Sequence, residues 1–487
     1  MLMAPETMML LTMLVPILAV PAIYATGGMP NVRETVTVTA SIILIYLVSS
    51  LYSAVISSGA AVALRSPDLF PGLALTFEIE PLGMLFSLVA SYLWLVTTIY
   101  AIGYMRGHHE ENQTRFYACF AIAISSVMGI AYADNLFTLF IFYEALTLST
   151  YPLVTHAGTS SAKEGGRVYL GILLTTSILF LLLAIIGTWY TTGTTSFQAG
   201  GIFAPETPSV ITGTLLVLFI FGIGKAAIMP FHRWLPAAMV APTPVSALLH
   251  AVAVVKAGVF TVLKVCVYIF GLDLLNDLPT TQIMLYIAAA SVLFASFVAM
   301  RQDNLKARLA YSTVSQLGYI TVGALLATSA GVVGGAMHIA MHAFGKITLF
   351  FCAGAIMVAA HKTEISEMRG LGRRMPITMT AFFIGSLSII GLPPTGGTWG
   401  KWFLMTGALD AGQWTIMGVL MLSSLLNIAY LLPIPLRGFF SQSGTTGEIA
   451  IKEAPLPSLL ALSFTALGCI LLFFFTQPLY ELASAIL

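Results

Sequence analysis

Three proton-binding side chains stand at regular spacing in an otherwise apolar segment. The stretch MHIAMHAFGKITLFF, residues 337–351, holds His338, His342 and Lys346 at positions i, i+4 and i+8. Residues four apart share one helix face and lie about 6 Å apart along the axis, so a stripe about 12 Å long is predicted. Histidine is the side chain whose ordinary pKa lies nearest neutral pH. The stripe is typical of a proton-transfer path. Structural hydrogen bonding and cofactor ligation are the alternatives.

Further ionisable residues lie inside apolar segments. The lysines are Lys225, Lys256, Lys264, Lys346 and Lys401, and the one acid is Glu144, in FIFYEALTLSTYPLV. A charge within a membrane costs very roughly 2.5–3.5 kcal/mol on insertion scales. A buried lysine can lose its proton, whereas an arginine cannot. Lysines without arginines therefore suit proton carriage. Lys264, near the end of its segment, is expected to snorkel to the membrane surface instead.

Glu144 and Lys225 are predicted to form an ion pair. Glu144 is the only acid deep in a predicted span, so it is the natural partner of Lys225. An ion pair would hold both groups charged, and breaking it would favour release of the lysine proton. His250 precedes Lys256 in APTPVSALLHAVAVVKAGVF and is expected to join the same path.

Composition places all of these residues in a membrane protein. Of 487 residues, 58% are hydrophobic and only 8% are charged, against about a quarter charged in soluble proteins. The formal net charge of +1 gives no reason to expect nucleic acid. The four cysteines are scattered without a CxxC, so no disulfide framework, metal site or cofactor is predicted. The first apolar segment lacks a basic flank and is interpreted as a membrane helix, not a cleaved signal.

Apolar stretches of about 20 residues predict fourteen membrane spans. They cover residues 7–25, 37–62, 82–104, 115–132, 135–156, 167–191, 211–231, 244–270, 283–300, 307–327, 331–360, 376–409, 415–436 and 456–484. Loops after odd-numbered spans hold fifteen Lys and Arg, whereas the other loops and both termini hold Arg65 alone. This asymmetry predicts that the loops rich in lysine and arginine face the cytoplasm and that both termini face outward.

Two spans carry helix breakers beside a lysine. FGIGKAAIMPFHRWLP places Lys225 five residues before Pro230, and GLPPTGGTWGKWF places Lys401 after Pro393 and Pro394. A broken helix frees backbone polar groups, which a membrane protein tolerates only beside protein or water. The seventh and twelfth spans run in opposite directions, so the pattern predicts two inverted five-helix repeats, helices 4–8 and 9–13.

Four stretches together resemble a known family. NLFTLFIFYEALTLSTYPLV, GKAAIMPFHRWLPAAMVAPTPVSALLHA, MHIAMHAFGKITLFFCAG and GLPPTGGTWGKWF look like the antiporter-like subunits shared by respiratory complex I, membrane-bound hydrogenases and Mrp cation/proton antiporters. The resemblance covers about residues 80 to 440. It implies an all-α membrane protein with about fourteen helices, two inverted repeats, broken helices 7 and 12 and a central polar axis.

The resemblance also implies roles for individual residues. The proton-transfer residues would be Glu144 on helix 5, Lys225 on helix 7, His250 and Lys256 on helix 8, His338, His342 and Lys346 on helix 11, and Lys401 on helix 12. A lysine at 401 resembles the D-type protein of Mrp antiporters or the distal antiporter-like protein of complex I. That distal protein continues past helix 14 in a long extension, which is not expected here, so the D-type Mrp protein is favoured.

We therefore expect a transporter subunit of a multisubunit Na⁺/H⁺ antiporter in a prokaryotic cell membrane, with other membrane subunits as partners. The alternatives are a proton-pumping subunit of a redox complex, a bicarbonate-uptake or similarly coupled assembly, and an electron-carrying cytochrome, which the shared helix of His338 and His342 disfavours. The expected divisions are residues 1–110 for helices 1–3, 111–270 for the first repeat, 271–440 for the second and 441–487 for helix 14.

Overall fold

The chain forms a bundle of long helices. The computed structural model describes residues 4–58, 62–69, 73–441 and 452–487. The helices in chain order are α1 (Pro5–Ala25), α2 (Pro30–Ser58), α3 (Pro81–Gly107), α4 (Gln113–Ala131), α5 (Leu136–Val154), α6 (Ser160–Thr192), α7 (Ser209–Gly222), α8 (Thr243–Phe270), α9 (Pro279–Arg301), α10 (Leu305–Leu325), α11 (Ser329–Ala360), α12 in two halves (Pro376–Ile390 and Gly397–Asp410), α13 (Trp414–Phe440) and α14 (Leu456–Phe474).

Short elements connect the long helices. One-turn or two-turn helices lie at Trp234–Ala237, Leu272–Asp277 and Gln477–Ser484. Strands β1 (Ala63–Arg65) and β2 (Thr76–Glu78) pair antiparallel between α2 and α3. The apolar pattern did not predict this hairpin, because three-residue strands are too short to leave a periodic signal.

The helices confirm the predicted all-α membrane architecture. Within the described ranges, eleven helices are long and apolar enough to cross a membrane. Helix α10, the shorter α7 and the two halves of α12 supply the remaining predicted spans, so each predicted span overlaps a helix. Residues 59–61 of the second predicted span lie outside the described ranges. The count of fourteen crossings and the division into repeats stay predictions.

Helices α8 and α11 occupy the centre of the bundle. Every residue of α8 is buried. Helix α11 packs against α3, α10, α14 and both halves of α12. Side chains projecting from these two helices therefore meet protein rather than lipid, which is where intramembrane ionisable groups are tolerated.

Both predicted helix breaks are present. Helix α7 ends at Gly222, and a 3-10 turn, Gly224–Ala226, carries Lys225. The break thus starts before Lys225 rather than at Pro230. The indole Nε1 of Trp234 donates to the carbonyl of Gly224 at 3.0 Å, which satisfies one backbone group that the break exposes. The first half of α12 ends at Ile390, where Gly391 has a φ of 87° that only glycine adopts readily.

Helix α8 has an irregularity that the sequence did not predict. Its stretch Leu248–Val252, which contains His250, is a π-helical turn, and Ala253 departs from helical geometry with φ −109° and ψ −78°. Regular helix resumes at Val254, two residues before Lys256. Such wide turns are common at functional sites because they re-aim side chains and loosen the backbone hydrogen bonds.

Gly258 lets α8 lie directly against the broken part of the seventh span. A Cβ at Gly258 would stand 2.3 Å from the backbone N of Ala226 and 2.3 Å from the carbonyl C of Lys225.

We predict that Gly258→Ala lowers the unfolding free energy of the assembled protein by about 1–3 kcal/mol, as overpacking does, measured by thermal unfolding in detergent. Gly171→Ala, in α6 with nothing within 4 Å, is the matched control. Equal stability of the two variants would contradict this packing.

Candidate functional site

The ammonium of Lys225 is anchored on α5. Its Nζ donates to the carbonyl of Tyr143 at 2.8 Å and to Oγ1 of Thr147 at 2.6 Å, and lies 3.2 Å from the centre of the Tyr143 ring. The backbone N of Lys225 donates to the Tyr143 hydroxyl at 3.1 Å. Lys225 is fully buried. Tyrosine and threonine thus hold both ends of this residue, so the turn and its amine are positioned together.

The expected contact between Glu144 and Lys225 is not made in this structure. Among the described residues, no ion pair within 4.0 Å joins the two, although both stand beside Tyr143. Both carboxylate oxygens of Glu144 are buried and have no hydrogen-bond partner in the protein. A second acid is buried outside the predicted spans: Glu34, at the start of α2, is 4% exposed and pairs with Arg106 at 2.5 Å.

A hydrogen-bonded pair joins the central helices α8 and α11. The Nζ of Lys256 donates a hydrogen bond to Nδ1 of His342. The rings of His342 and His338 stack with centroids 5.9 Å apart. On the far side, Nε2 of His338 lies 3.0 Å from Oε1 of Gln316 on α10. The predicted histidine stripe is therefore present, and α8 supplies its first amine.

The stripe continues to Lys401 through two residues that the sequence analysis did not single out. The ring of Tyr319 stacks on His338 with centroids 5.8 Å apart. The Tyr319 hydroxyl lies 3.3 Å from Oγ of Ser424, which accepts a hydrogen bond from Nζ of Lys401 at 3.0 Å. Lys401 also donates to the carbonyl of Ile390 at 3.0 Å, the end of the broken helix.

Lys346 lies on a separate branch. Its Nζ donates to Oγ of Ser312 at 2.8 Å and contacts the carbonyl of Leu309 at 3.5 Å. The Tyr430 hydroxyl lies 3.1 Å from Oγ of Ser312 and donates to Oδ1 of Asn427. The contacts therefore run from Lys256 to Lys401 through the histidines, while Lys346 connects towards α13.

His250 is buried and lacks protein hydrogen-bond partners. Both ring nitrogens are inaccessible, and the ring packs against Phe350 with centroids 4.6 Å apart. Buried polar atoms are satisfied by ordered water when the protein offers no partner. This position suits a group that exchanges protons with water.

Three buried amines share one type of surrounding. Lys225, Lys346 and Lys401 each contact one backbone carbonyl and one hydroxyl, and in the described part of the chain none of them forms an ion pair. Such neutral acceptors bind both the ammonium and the neutral amine, so the arrangement allows a proton to enter and leave. The hydroxyl partners were missed because serine, threonine and tyrosine are common in membrane helices. Only their spacing relative to the lysines could have indicated them.

The prediction that Lys264 snorkels is wrong. Its side chain is fully buried and pairs with Oε1 of Glu80 at 3.0 Å, while Nζ also donates to the carbonyl of Ala133 at 2.5 Å. Glu80 lies just before α3, outside the predicted sequence spans, so its role as a partner was not visible. Burial raises the pKa of Glu80 above its usual value, and the neighbouring Lys264 opposes that shift.

The Lys264–Glu80 pair predicts a distinctive pattern of stability. Lys264→Met strands a buried carboxylate, so the unfolding free energy of the complex should fall by about 3–5 kcal/mol. The double variant Lys264→Met with Glu80→Gln removes both charges and should recover much of that loss. Thermal unfolding of four proteins in detergent, the parent, Lys264→Met, Glu80→Gln and the double variant, measures the coupling. Additive effects of the two substitutions would contradict a buried pair.

Family comparisons agree with the motifs. Residues 133–427 match the family described as "NADH:quinone oxidoreductase/Mrp antiporter, TM", and residues 72–117 match "NADH-Ubiquinone oxidoreductase (complex I), chain 5 N-terminus". The first match spans Glu144 to Lys401 and so includes every candidate site residue.

Individual relatives are subunits of NADH- and NAD(P)H-quinone oxidoreductases. The chain is 30% identical over 451 residues to NADH-quinone oxidoreductase subunit N of Desulforudis audaxviator, covering 90% of this chain and 89% of that protein. It is 31% identical over 356 residues to NAD(P)H-quinone oxidoreductase chain 5 of a Picosynechococcus species, and 30% identical over 390 residues to NADH-quinone oxidoreductase subunit L of Mycobacterium tuberculosis. These cover 70% and 78% of this chain but only 52% and 59% of the relatives.

Solved structures share the fold over the whole chain. A chain of the Mrp complex from Dietzia sp. DQ12-45-1b superposes with a TM-score of 0.86 at 22% identity, covering 99% of this chain and 97% of that one. A chain of the membrane-bound sulfane sulfur reductase, an archaeal respiratory membrane complex, also gives 0.86, at 23% identity with 98% and 96% coverage. The same fold therefore occurs in both complexes.

Proposed function

This chain belongs to the family of membrane subunits that NADH:quinone oxidoreductases share with Mrp antiporters, and we propose that it carries protons as one subunit of a multisubunit membrane complex. Membership confirms the resemblance seen in the motifs. The observation that best supports proton carriage is the contact series from Lys256 through His342, His338, Tyr319 and Ser424 to Lys401. Every member can bind or release a proton, or relay one through a hydroxyl.

The proposed transfer alternates between fixed contacts and short gaps. The hydrogen bond from Lys256 to His342 passes a proton directly, whereas the stacked rings near 6 Å need side-chain rotation or a bridging water. We place Lys225 before Lys256 in the path, because the 3-10 turn that carries it packs on α8 at Gly258, two residues from Lys256. Glu144, unpartnered in this state, would hold Lys225 charged when the two approach.

The two broken segments support inverted repeats. Lys225 and Lys401 each follow a helix break, each contact one carbonyl and one hydroxyl, and each lie near a tyrosine ring, Tyr143 and Tyr319. We infer two matching half-paths that meet at the histidines of α11. The charge asymmetry of the loops further favours an orientation with both termini outside, and we place the complex in a prokaryotic cell membrane.

A Na⁺/H⁺ antiporter is the more specific form of this proposal. Lysine at position 401 resembles the D-type protein of Mrp antiporters, and the Dietzia Mrp chain shares the fold along its whole length. In such an antiporter this chain is not an enzyme by itself. Sodium passes through it or through a partner, and the partners are other membrane subunits of the antiporter.

A proton-pumping subunit of a redox complex is the second candidate. It is favoured by the nearly full-length match to NADH-quinone oxidoreductase subunit N.

A transport assay in everted vesicles that contain the assembled complex distinguishes the antiporter from the redox pump. An antiporter releases a preformed proton gradient when Na⁺ is added without any electron donor. A redox pump builds a gradient only when donor and acceptor are supplied.

Lys225 provides the direct test of proton carriage. We predict that Lys225→Ala leaves the complex assembled but reduces proton movement in vesicles by at least about 100-fold, because the amine placed before Lys256 in the path is lost. Lys163→Ala, which removes an exposed lysine at the start of α6, is the matched control and should transport normally. Normal transport by assembled Lys225→Ala protein would remove this residue from the path.

A further inference from the structure

A cavity opens on the face of the bundle formed by the loops after odd-numbered helices. It has a volume of about 330 Å³ and is lined by the end of α3, the segment before α8, the start of α10 and the segment after α11. A water molecule occupies about 30 Å³ in the liquid, so the cavity holds several. These loops carry the excess of lysine and arginine, and the face is therefore the predicted cytoplasmic one.

Titratable groups gather at this cavity around Glu110. Its Oε1 lies 3.0 Å from Nδ1 of His108, and its Oε2 lies 3.8 Å from Nε2 of His156. Lys306 and Lys362 line the same space, and Tyr104 lines its α3 side. Arg115 donates to the carbonyl of His156 at 3.0 Å and so faces the cluster from α4.

His156 is the least satisfied member of this cluster. Its side chain is 2% exposed, and neither ring nitrogen has a hydrogen-bond partner in the protein. Burial lowers the pKa of His156 below its ordinary value, and the Glu110 carboxylate opposes that shift. The imidazole can thus take up a proton that Glu110 stabilises, and return it.

A line of polar side chains leads from the cavity along α8. Thr243 lines the cavity, and Ser246 and His250 follow at i+3 and i+7, which places all three on one helix face over about 10 Å. The Oγ of Ser246 and both ring nitrogens of His250 are buried without protein partners. Because buried polar groups are normally hydrogen-bonded, we expect water molecules to bind these three atoms.

Resting on the proposed function, we propose that Glu110, with His108 and His156, collects protons at this cavity and delivers them along Thr243 and Ser246 to His250. Glu110 is then the entry group of the path, and the cluster sets how fast the path refills. The cluster itself does not carry protons across the membrane. Glu110, His108 and His156 come from the α3–α4 loop and the segment just after α5, outside the helices that carry the central stripe.

A collecting group matters most when protons are scarce. In vesicles with the assembled complex, Glu110→Gln should transport at close to the parent rate at acidic pH on the cavity side. At alkaline pH its rate should fall about tenfold, which displaces the pH profile by about one unit towards acid. Glu111→Gln, the exposed neighbour, is the matched control and should keep the parent profile. Glu110→Asp should restore the profile in part.

The outcomes separate this proposal from proton carriage in general. Equal profiles for Glu110→Gln and Glu111→Gln, or a loss of rate at every pH in assembled Glu110→Gln protein, would overturn the collecting role while leaving the central series intact. Loss of all transport in the parent complex would instead overturn the proposed function.

A second measurement does not depend on the folding of the Glu110 variants. Ser246→Cys should react with a membrane-impermeant thiol reagent added on the cavity side, above the background of the four native cysteines, and not from the opposite side. Absence of labelling from the cavity side would show that no water reaches Ser246 and would overturn the proposal.

Discussion

The burial of positive charge without a negative partner is the constraint on which this structure depends. Lys225, Lys256, Lys346 and Lys401 lie at most 4% exposed within the bundle, and none of the four forms an ion pair among the described residues. A charged amine in such a place must be neutralised, solvated by dipoles or lose its proton. Carbonyls, hydroxyls and one imidazole surround these amines. They stabilise the ammonium without fixing it, whereas the carboxylate beside Lys264 holds that lysine as a structural ion pair.

The helix breaks and the close helix contacts follow from the same constraint. Interrupting the seventh and twelfth spans supplies a lysine-bearing turn at Lys225 and a free carbonyl at Ile390, which Lys401 uses. Glycines let the supporting helices approach. A Cβ at Gly400 would stand 3.0 Å from Nδ1 of His338. The apolar mass of the bundle thus serves to exclude water and lipid while holding polar atoms a few ångströms apart.

The sequence predicted the class of fold and singled out the candidate proton-transfer residues, because both depend on strong signals. Twenty-residue apolar runs and charged residues inside them are rare by chance, so the spans and the eight candidate residues stood out. Three features had no such signal. Lys264 was assigned to the membrane surface because its partner, Glu80, lies 184 residues away in sequence. The π turn at His250 depends on packing around α8. The contacts of Tyr319 and Ser424 depend on which helices meet, which one sequence does not specify.

The central claim is that the buried amines release protons rather than merely provide positive charge. Replacing Lys256 by arginine separates the two, because arginine keeps the charge and hydrogen-bond donors but does not deprotonate in proteins. The account predicts that assembled Lys256→Arg complex loses at least about 100-fold in proton movement across vesicles. Transport at the parent rate by that variant would contradict it.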